Sequence, residues 1–176
     1  MKRKGFTLIE LLAVIVILAI LVAVAVPAVT RYLNTARKGT YADNAQAAIS
    51  VVRNDVISKF GAANSSTYYL NGACMVTVEN NGEKTTTADI SITKADCTGE
   101  GKAWTEGIND LLEKKLVKSP YGNDYRNDSY VQVTSNTDGS YSYKICLFDK
   151  GGYGIIADEA NITEDSVETG LSSCTP

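Results

Sequence analysis

The sequence predicts an α+β protein, in which a long N-terminal α-helix packs against a small antiparallel β-sheet head. Two observations predict this fold. Residues 6–29 are almost wholly apolar, with Thr7 and Glu10 as the only polar side chains. Residues 62–176 are instead rich in Thr, Ser, Asn, Gly and Tyr, and short β-type runs alternate with turn residues. A chain of 176 residues has room for one small core and a helical appendage.

Three hypotheses fit residues 1–29, where a basic start precedes the apolar run. A secretory signal peptide needs a small-residue cleavage site, and Ala23-Val24-Ala25 is suitable. A plain membrane anchor needs about 20 apolar residues, which residues 6–29 supply. The third hypothesis is a leader that is cut between Gly5 and Phe6, after which the apolar helix is retained. The basic start predicts a cytoplasmic N-terminus and an exported remainder.

Glu10 favours the third hypothesis, because a signal peptide or a simple anchor gains nothing from an acid in its apolar run. A cut after Gly5 gives Phe6 a new α-amine, and Glu10 follows about one helical turn later. The carboxylate also suits the positive end of the helix dipole. In a stack of helices, Glu10 of one chain can neutralise the Phe6 amine of its neighbour. Such pairing would favour one axial stagger between chains.

The stretch KGFTLIELL at residues 4–12 resembles the cleavage and methylation motif of the type IV pilin and pseudopilin family. The match within this motif shows no departure, and the resemblance covers residues 2–30. It implies that a prepilin peptidase removes Met1–Gly5 and that Phe6 becomes N-methylated. It also implies that Glu10 is needed for subunit recruitment or register.

The resemblance further implies a location and a set of partners. The precursor is expected to span the cytoplasmic membrane once, with its N-terminus inside and residues 6–29 in the bilayer. A membrane assembly platform would then polymerise it through the N-terminal helix into an extracellular surface filament. Pro27 stands where family members commonly carry a helix-bending proline, and proline lacks the N–H of a helical hydrogen bond.

Composition argues against several classes of site. The chain has no histidine, which removes the commonest general base and the commonest metal ligand. Loss of the leader lowers Lys plus Arg from 17 to 14 against 20 acids, so the net charge falls from −3 to −6. An acidic chain has no electrostatic drive toward nucleic acid. We therefore predict no catalytic residues, no metal site, no cofactor and no specific nucleic-acid partner.

The helix becomes amphipathic over residues 30–61, after Pro27. Apolar residues recur there at helical spacing, with charged and amide side chains on the opposite side. The apolar stripe consists of Val29, Leu33, Ala36, Tyr41, Ala45, Ala48, Val52, Val56 and Phe60. We predict one helix from about Phe6 to Phe60. Residues 6–29 would form its membrane and filament-core half, and residues 30–61 the half that the head covers.

The head pattern predicts short antiparallel strands and one helix. The clearest hairpin joins Tyr130–Thr134 to Tyr141–Phe148. Other strands are expected at Tyr68–Leu70, Cys74–Glu79 and Thr85–Thr93, and a last one follows Gly151-Gly152. The spacing of Trp104, Ile108, Leu111, Leu112 and Leu116 predicts an amphipathic helix over residues 104–117, which Ser119-Pro120 would end.

Four cysteines, Cys74, Cys97, Cys146 and Cys174, lie in the part predicted to be exported. None forms a C-x-x-C pair, and an even number in an exported domain indicates two disulfides. Three connectivities are possible, and a four-cysteine zinc site is the rival hypothesis. A Cys146–Cys174 bond would staple the C-terminal tail, and such a loop is similar to the variable disulfide loop of many pilins. On that resemblance we favour Cys146–Cys174 with Cys74–Cys97.

Three functions follow as hypotheses. The first is a pilin, a structural subunit of a surface filament, which the size and the stapling of the head favour. The second is a pseudopilin of a type II secretion or DNA-uptake (competence) system. The segment Leu112–Tyr125, with Pro120, Gly122 and Asn123, loosely resembles a turn of secretion pseudopilins and supports it. The third is a membrane-tethered binding or enzymatic domain with a chance match in its leader.

Overall fold

The computed structural model describes residues 7–59, 66–80, 82–113 and 116–174. The chain divides into two compact units, Met1–Arg37 and Lys38–Pro176, and one helix, α1 (Leu8–Ser58), runs through both. The strands are β1 (Ser66–Tyr69), β2 (Ala73–Asn80), β3 (Glu83–Asp89), β4 (Lys102–Thr105), β5 (Tyr130–Ser135), β6 (Tyr141–Phe148), β7 (Tyr153–Asp158) and β8 (Val167–Thr169). A short helix, α2 (Ile108–Leu111), lies between β4 and β5. The α+β prediction is confirmed.

The first unit contains the exposed half of α1, Leu8–Arg37. Every described side chain of this unit, from Thr7 to Arg37, is exposed to solvent in the isolated chain. Large apolar residues are among them, and Leu8 is 82 % and Ile20 60 % exposed. By length and composition this is a helix that can cross a membrane.

The second unit contains the packed half of α1, Lys38–Ser58, and the whole β structure. The buried residues of this half repeat every three or four positions, as one face of a helix requires. They are Tyr41, Ala42, Ala45, Ala48, Ile49, Val52 and Val56. They share one core cluster with sheet residues such as Val131, Val133, Ile145 and Ile155. On the polar side, Arg53 forms an ion pair with Glu159 and lies over the Tyr143 ring.

The β strands form two antiparallel sheets, whereas the sequence had predicted a single small one. The larger sheet has the order β1-β5-β6-β7-β8, and the smaller has the order β3-β2-β4. Successive residues of β6 point to opposite faces of the larger sheet. Ile145 and Leu147 enter the main core, and Cys146 and Phe148 enter a second cluster with Tyr130.

The helix predicted over residues 104–117 is much shorter than expected. Trp104 lies in β4 opposite Cys74 of β2, and of the described residues in this range only Ile108–Leu111 are helical. The side-chain amide of Asn109 donates to the Leu116 carbonyl and accepts from the Leu116 N–H, both at 3.0 Å. These are the backbone groups that a longer helix would use. Glu113, with φ of 54°, turns the chain out of the helical conformation.

The strands also differ in part from expectation. Strand β3 ends at Asp89 instead of Thr93, because the Asp89 carboxylate accepts hydrogen bonds from the Ser91 N–H and hydroxyl and so forms a turn. Strand β8 (Val167–Thr169) was not predicted, since three residues carry too little pattern. The predicted helix ends, Phe6 and Phe60, lie outside the described residues, as do the leader residues Met1–Gly5.

Candidate assembly site on the N-terminal helix

The described part of the candidate site begins at Thr7, which precedes the first turn of α1. The Thr7 backbone N–H and hydroxyl each donate to Glu10 Oε2 at 2.8 Å. The Glu10 backbone N–H lies 3.4 Å from the Thr7 hydroxyl oxygen that accepts from it. This reciprocal pair is a capping box, which satisfies donors that the start of a helix leaves unpaired. The second carboxylate oxygen, Oε1, accepts no hydrogen bond from any described residue.

The capping box is a signal that the sequence analysis missed. Thr7-Leu8-Ile9-Glu10 has the T-x-x-E spacing that marks a helix start ahead of an apolar run. Glu10 therefore has a role within its own chain, in addition to the predicted role between chains. The bonds from Thr7 use only Oε2 of the carboxylate.

Charge distribution defines the apolar span of α1. After Glu10 the next charged residue is Arg31, and Arg37 and Lys38 follow. Glu10 and Arg31 are about 30 Å apart along a helix that rises 1.5 Å per residue. That length is close to the hydrocarbon thickness of a bilayer. Glu10 and Arg31 therefore lie at the two ends of an apolar span that is long enough to cross a bilayer.

Pro27 lies inside α1, and the helix continues through it. One turn later the Thr30 hydroxyl donates to the Val26 carbonyl at 2.9 Å. Such a bond satisfies the threonine hydroxyl without water, which allows this side chain to lie near the apolar segment. The kink at Pro27 stays a prediction.

The four cysteines form two disulfides, Cys74–Cys97 and Cys146–Cys174, with Cα atoms 5.5 and 6.0 Å apart. This is the pairing that the pilin resemblance favours, and it leaves no thiolate for the rival four-cysteine zinc site. Cys146–Cys174 brings the C-terminal tail onto Tyr130 and Phe148, where partly buried Leu171 also packs. The tail therefore covers apolar rings that would otherwise face water.

The turn after α2 is fixed by a buried carboxylate. Asp149 is 1 % exposed and accepts hydrogen bonds from Ser119 Oγ and Asn123 Nδ2. Its other oxygen accepts from the N–H groups of Gly151 at 2.8 Å and Tyr153 at 3.1 Å. Four donors from two segments of the chain compensate for the burial of this charge. The pattern of the sequence gave no sign of this arrangement.

Across residues 7–59, 66–80, 82–113 and 116–174, no three His, Cys, Asp or Glu side chains are placed to hold a metal ion.

The N-terminus is the part of the chain that resembles known proteins. No solved structure matches the chain. Residues 1–26 match the family model described as the prokaryotic N-terminal methylation motif. The chain thus carries the N-terminal signature of type IV pilins and pseudopilins, with an apolar helix that begins at the Thr7–Glu10 capping box.

Proposed function

We propose that this protein is a pilin. A prepilin peptidase cuts it between Gly5 and Phe6, Phe6 is N-methylated, and the apolar helix holds the product in the cytoplasmic membrane. An assembly platform then polymerises the subunits through α1 into a type IV pilus filament outside the cell. Its function is structural, and its main partners are other copies of itself.

One observation carries this proposal. The exposed half of α1 presents apolar side chains on all sides, and none of them is buried in the isolated chain. Such a surface needs lipid before assembly and other helices after it. Helix-to-helix packing in a filament replaces the lipid contacts when the subunit leaves the membrane.

Glu10 supplies the specificity of this step. Its Oε2 is held by Thr7, and its Oε1 accepts from none of the residues that the structure describes. We infer that Oε1 takes a donor from another chain. In our proposal that donor is the Phe6 α-amine of the neighbouring subunit. An unpaired carboxylate or ammonium is unfavourable among apolar helices, so only a stagger that joins the two is stable.

A pseudopilin of a secretion or DNA-uptake system is the second candidate. The observation that favours it is the turn in which Asp149 holds Ser119 and Asn123, because this turn lies in the segment Leu112–Tyr125 that loosely resembles a turn of secretion pseudopilins. The pilin and the pseudopilin would share processing and helix packing, and they differ in the fibre produced.

Electron microscopy of the native cells, with and without this protein, separates the two. Long surface fibres that disappear on deletion and return on complementation support the pilin. Loss of secretion or of DNA uptake, with no change in long fibres, supports the pseudopilin. N-terminal sequencing of the mature subunit tests both, because each requires a start at methylated Phe6. A start at Met1 or within residues 23–29 would exclude filament processing.

A further inference from the structure

The globular unit contains a cavity of about 380 Å³ that no part of the assembly site uses. Its lining includes Trp104 of β4, Asp110 of α2, Asn71, Asn127 and the loop from Ile90 to Lys94. This volume lies in the range of small-molecule sites, about 300–1,000 Å³. Trp104 is the only tryptophan in the sequence, so any change at the cavity has a single spectroscopic reporter.

Trp104 is held in place by its surroundings. It lies opposite Cys74 in the β2–β4 register, and the Cys74–Cys97 disulfide anchors the loop that forms one wall. A Cβ atom added to Gly72 would lie 2.6 Å from Trp104 Cζ2, so the indole packs against bare backbone. The ring is therefore positioned by the sheet, the disulfide and a glycine.

Packing alone does not account for this tryptophan. Its Nε1–H is enclosed and has no hydrogen-bond acceptor among the described residues. A buried indole N–H usually finds an acceptor, and leaving it unpaired costs free energy. The unpaired N–H belongs to a half-buried aromatic side chain, and that side chain lines a cavity. A binding role explains why a tryptophan occupies the position.

The polar groups of the cavity are oriented by a short chain of amides. Asn109 Nδ2 donates to Asn71 Oδ1 at 3.0 Å, and Asn71 Nδ2 donates to Asn127 Oδ1 at 2.6 Å. The amide nitrogen of Asn127 is then directed by this chain and has no acceptor among the described residues. Among the described residues, Asp110 accepts only a long bond of 3.4 Å from the Gly107 N–H, so its carboxylate keeps accepting capacity.

We propose that this cavity binds a saccharide. A pyranose ring would lie against Trp104, with one hydroxyl donating to Asp110 and another accepting from Asn127. The chemistry matches, because a sugar combines apolar C–H groups with hydroxyls that both donate and accept hydrogen bonds. A second cavity of about 560 Å³ shares Ile90 and Asn127 with the first. The two cavities together have room for a ligand of more than one sugar ring. The proposal does not depend on polymerisation.

Fluorescence of the full-length protein tests the proposal, in a zwitterionic detergent that carries no sugar. Glucose, galactose, N-acetylglucosamine, N-acetylgalactosamine and glucuronic acid serve as probes, each as monosaccharide and as a short oligomer. Sorbitol, which has the hydroxyls without the ring, is the matched control. We expect at least one pyranose to change the Trp104 emission saturably at millimolar concentration, about −4 kcal/mol of binding free energy, and sorbitol to have no effect. No saturable change with any probe to about 100 mM would overturn the proposal.

Two variants keep the reporter and remove the polar contacts. Asp110→Asn should raise the half-saturating concentration about tenfold through loss of a charge-assisted hydrogen bond, and Asn127→Ala about as much through loss of a donor to the ligand. Asp138→Asn, in the exposed turn between β5 and β6, is the matched control and should bind as the unchanged protein does. An unchanged half-saturating concentration in both cavity variants, or an emission change that sorbitol also causes, would contradict binding at this site.

Discussion

The two halves of α1 share one secondary structure but differ in what surrounds them. The packed half (Lys38–Ser58) buries Tyr41, Ile49 and Val52 in one cluster with sheet residues of its own chain. The exposed half (Leu8–Arg37) buries none of its side chains in the isolated chain. Because tertiary packing supplies most of the stability of a helix, the packed half is part of the monomer fold. The exposed half, in our proposal, gains its packing from lipid and then from other copies.

The largest expected contrast comes from one substitution made in each half. Ile49 is 1 % exposed, so Ile49→Ala should lower the free energy of unfolding of the globular unit by about 2–5 kcal/mol. Ile17 is 58 % exposed, so Ile17→Ala should change it by less than about 0.5 kcal/mol. Denaturant titration of both variants in the same detergent measures the difference. Equal destabilisation by both would remove the distinction between the halves.

The disulfide at the C-terminal tail should come next in size. Cys146 and Cys174 are 28 residues apart, and a loop of this length is worth about 3.6 kcal/mol in the chain-entropy model. The double variant Cys146→Ala with Cys174→Ala should lower the unfolding midpoint of the globular unit and expose Phe148 and Tyr130. Binding of a hydrophobic dye reports that exposure. Processing at Gly5 should be unaffected, because it depends on the first unit, and impaired processing would count against this separation.

Alkaline pH should destabilise the globular unit through Tyr125, a buried tyrosine that contacts Tyr41 of the packed half. Burial raises the pKa of Tyr125 to about 12, although the hydrogen bond from Asn44 opposes part of this rise. A tyrosine with a raised pKa stabilises the fold below pH 10, and that contribution is lost as the pH rises toward 12. The loss is roughly 1.4 kcal/mol per pH unit for one tyrosine. Denaturant midpoints measured between pH 9 and 12 should fall less steeply in Tyr125→Phe, and an unchanged slope would contradict this assignment.

The smallest contrast concerns one hydroxyl. Tyr41 is buried, and its hydroxyl donates to the Tyr153 carbonyl at 2.8 Å. Tyr41→Phe should therefore lower the free energy of unfolding by about 0.5–1.5 kcal/mol. Tyr32, in the exposed half, is 75 % exposed, and Tyr32→Phe should leave stability unchanged. Thermal melts of the two variants test this pair, and a larger effect from Tyr32→Phe would be the contradictory result.

Much of α1 was predictable because the helical spacing of apolar residues is visible in the sequence and does not depend on the tertiary fold. The predicted stripe from Tyr41 to Val56 is buried. Leu33 and Ala36 of the same stripe were also predicted to be covered, but they are exposed. The same periodicity failed over residues 104–117, because apolar spacing does not reveal that Asn109 bonds to the backbone of Leu116. Long-range side-chain bonds of this kind, like those of Asp149, depend on the finished fold.

The candidate site was only partly predictable for a similar reason. The motif around Glu10 was recognisable from residue types and spacing, and residues 1–26 match a methylation-motif model. The hydrogen bonds from Thr7 were not foreseen, although the T-x-x-E spacing indicates them. Cleavage at Gly5, methylation of Phe6 and the intermolecular ion pair remain predictions, since residues 1–6 lie outside the described part of the chain.

Glu10→Gln tests the central claim most directly. Glutamine can keep the capping bonds to Thr7, but it carries no charge for the Phe6 amine of a neighbour. Thr7→Ala is the matched control, because it weakens the cap and keeps the carboxylate. Fibres sheared from cells are quantified by immunoblot after N-terminal sequencing has shown equal processing of both variants. We expect Glu10→Gln to lower the fibre yield at least about tenfold and Thr7→Ala to assemble; an unchanged fibre yield from Glu10→Gln would contradict the account.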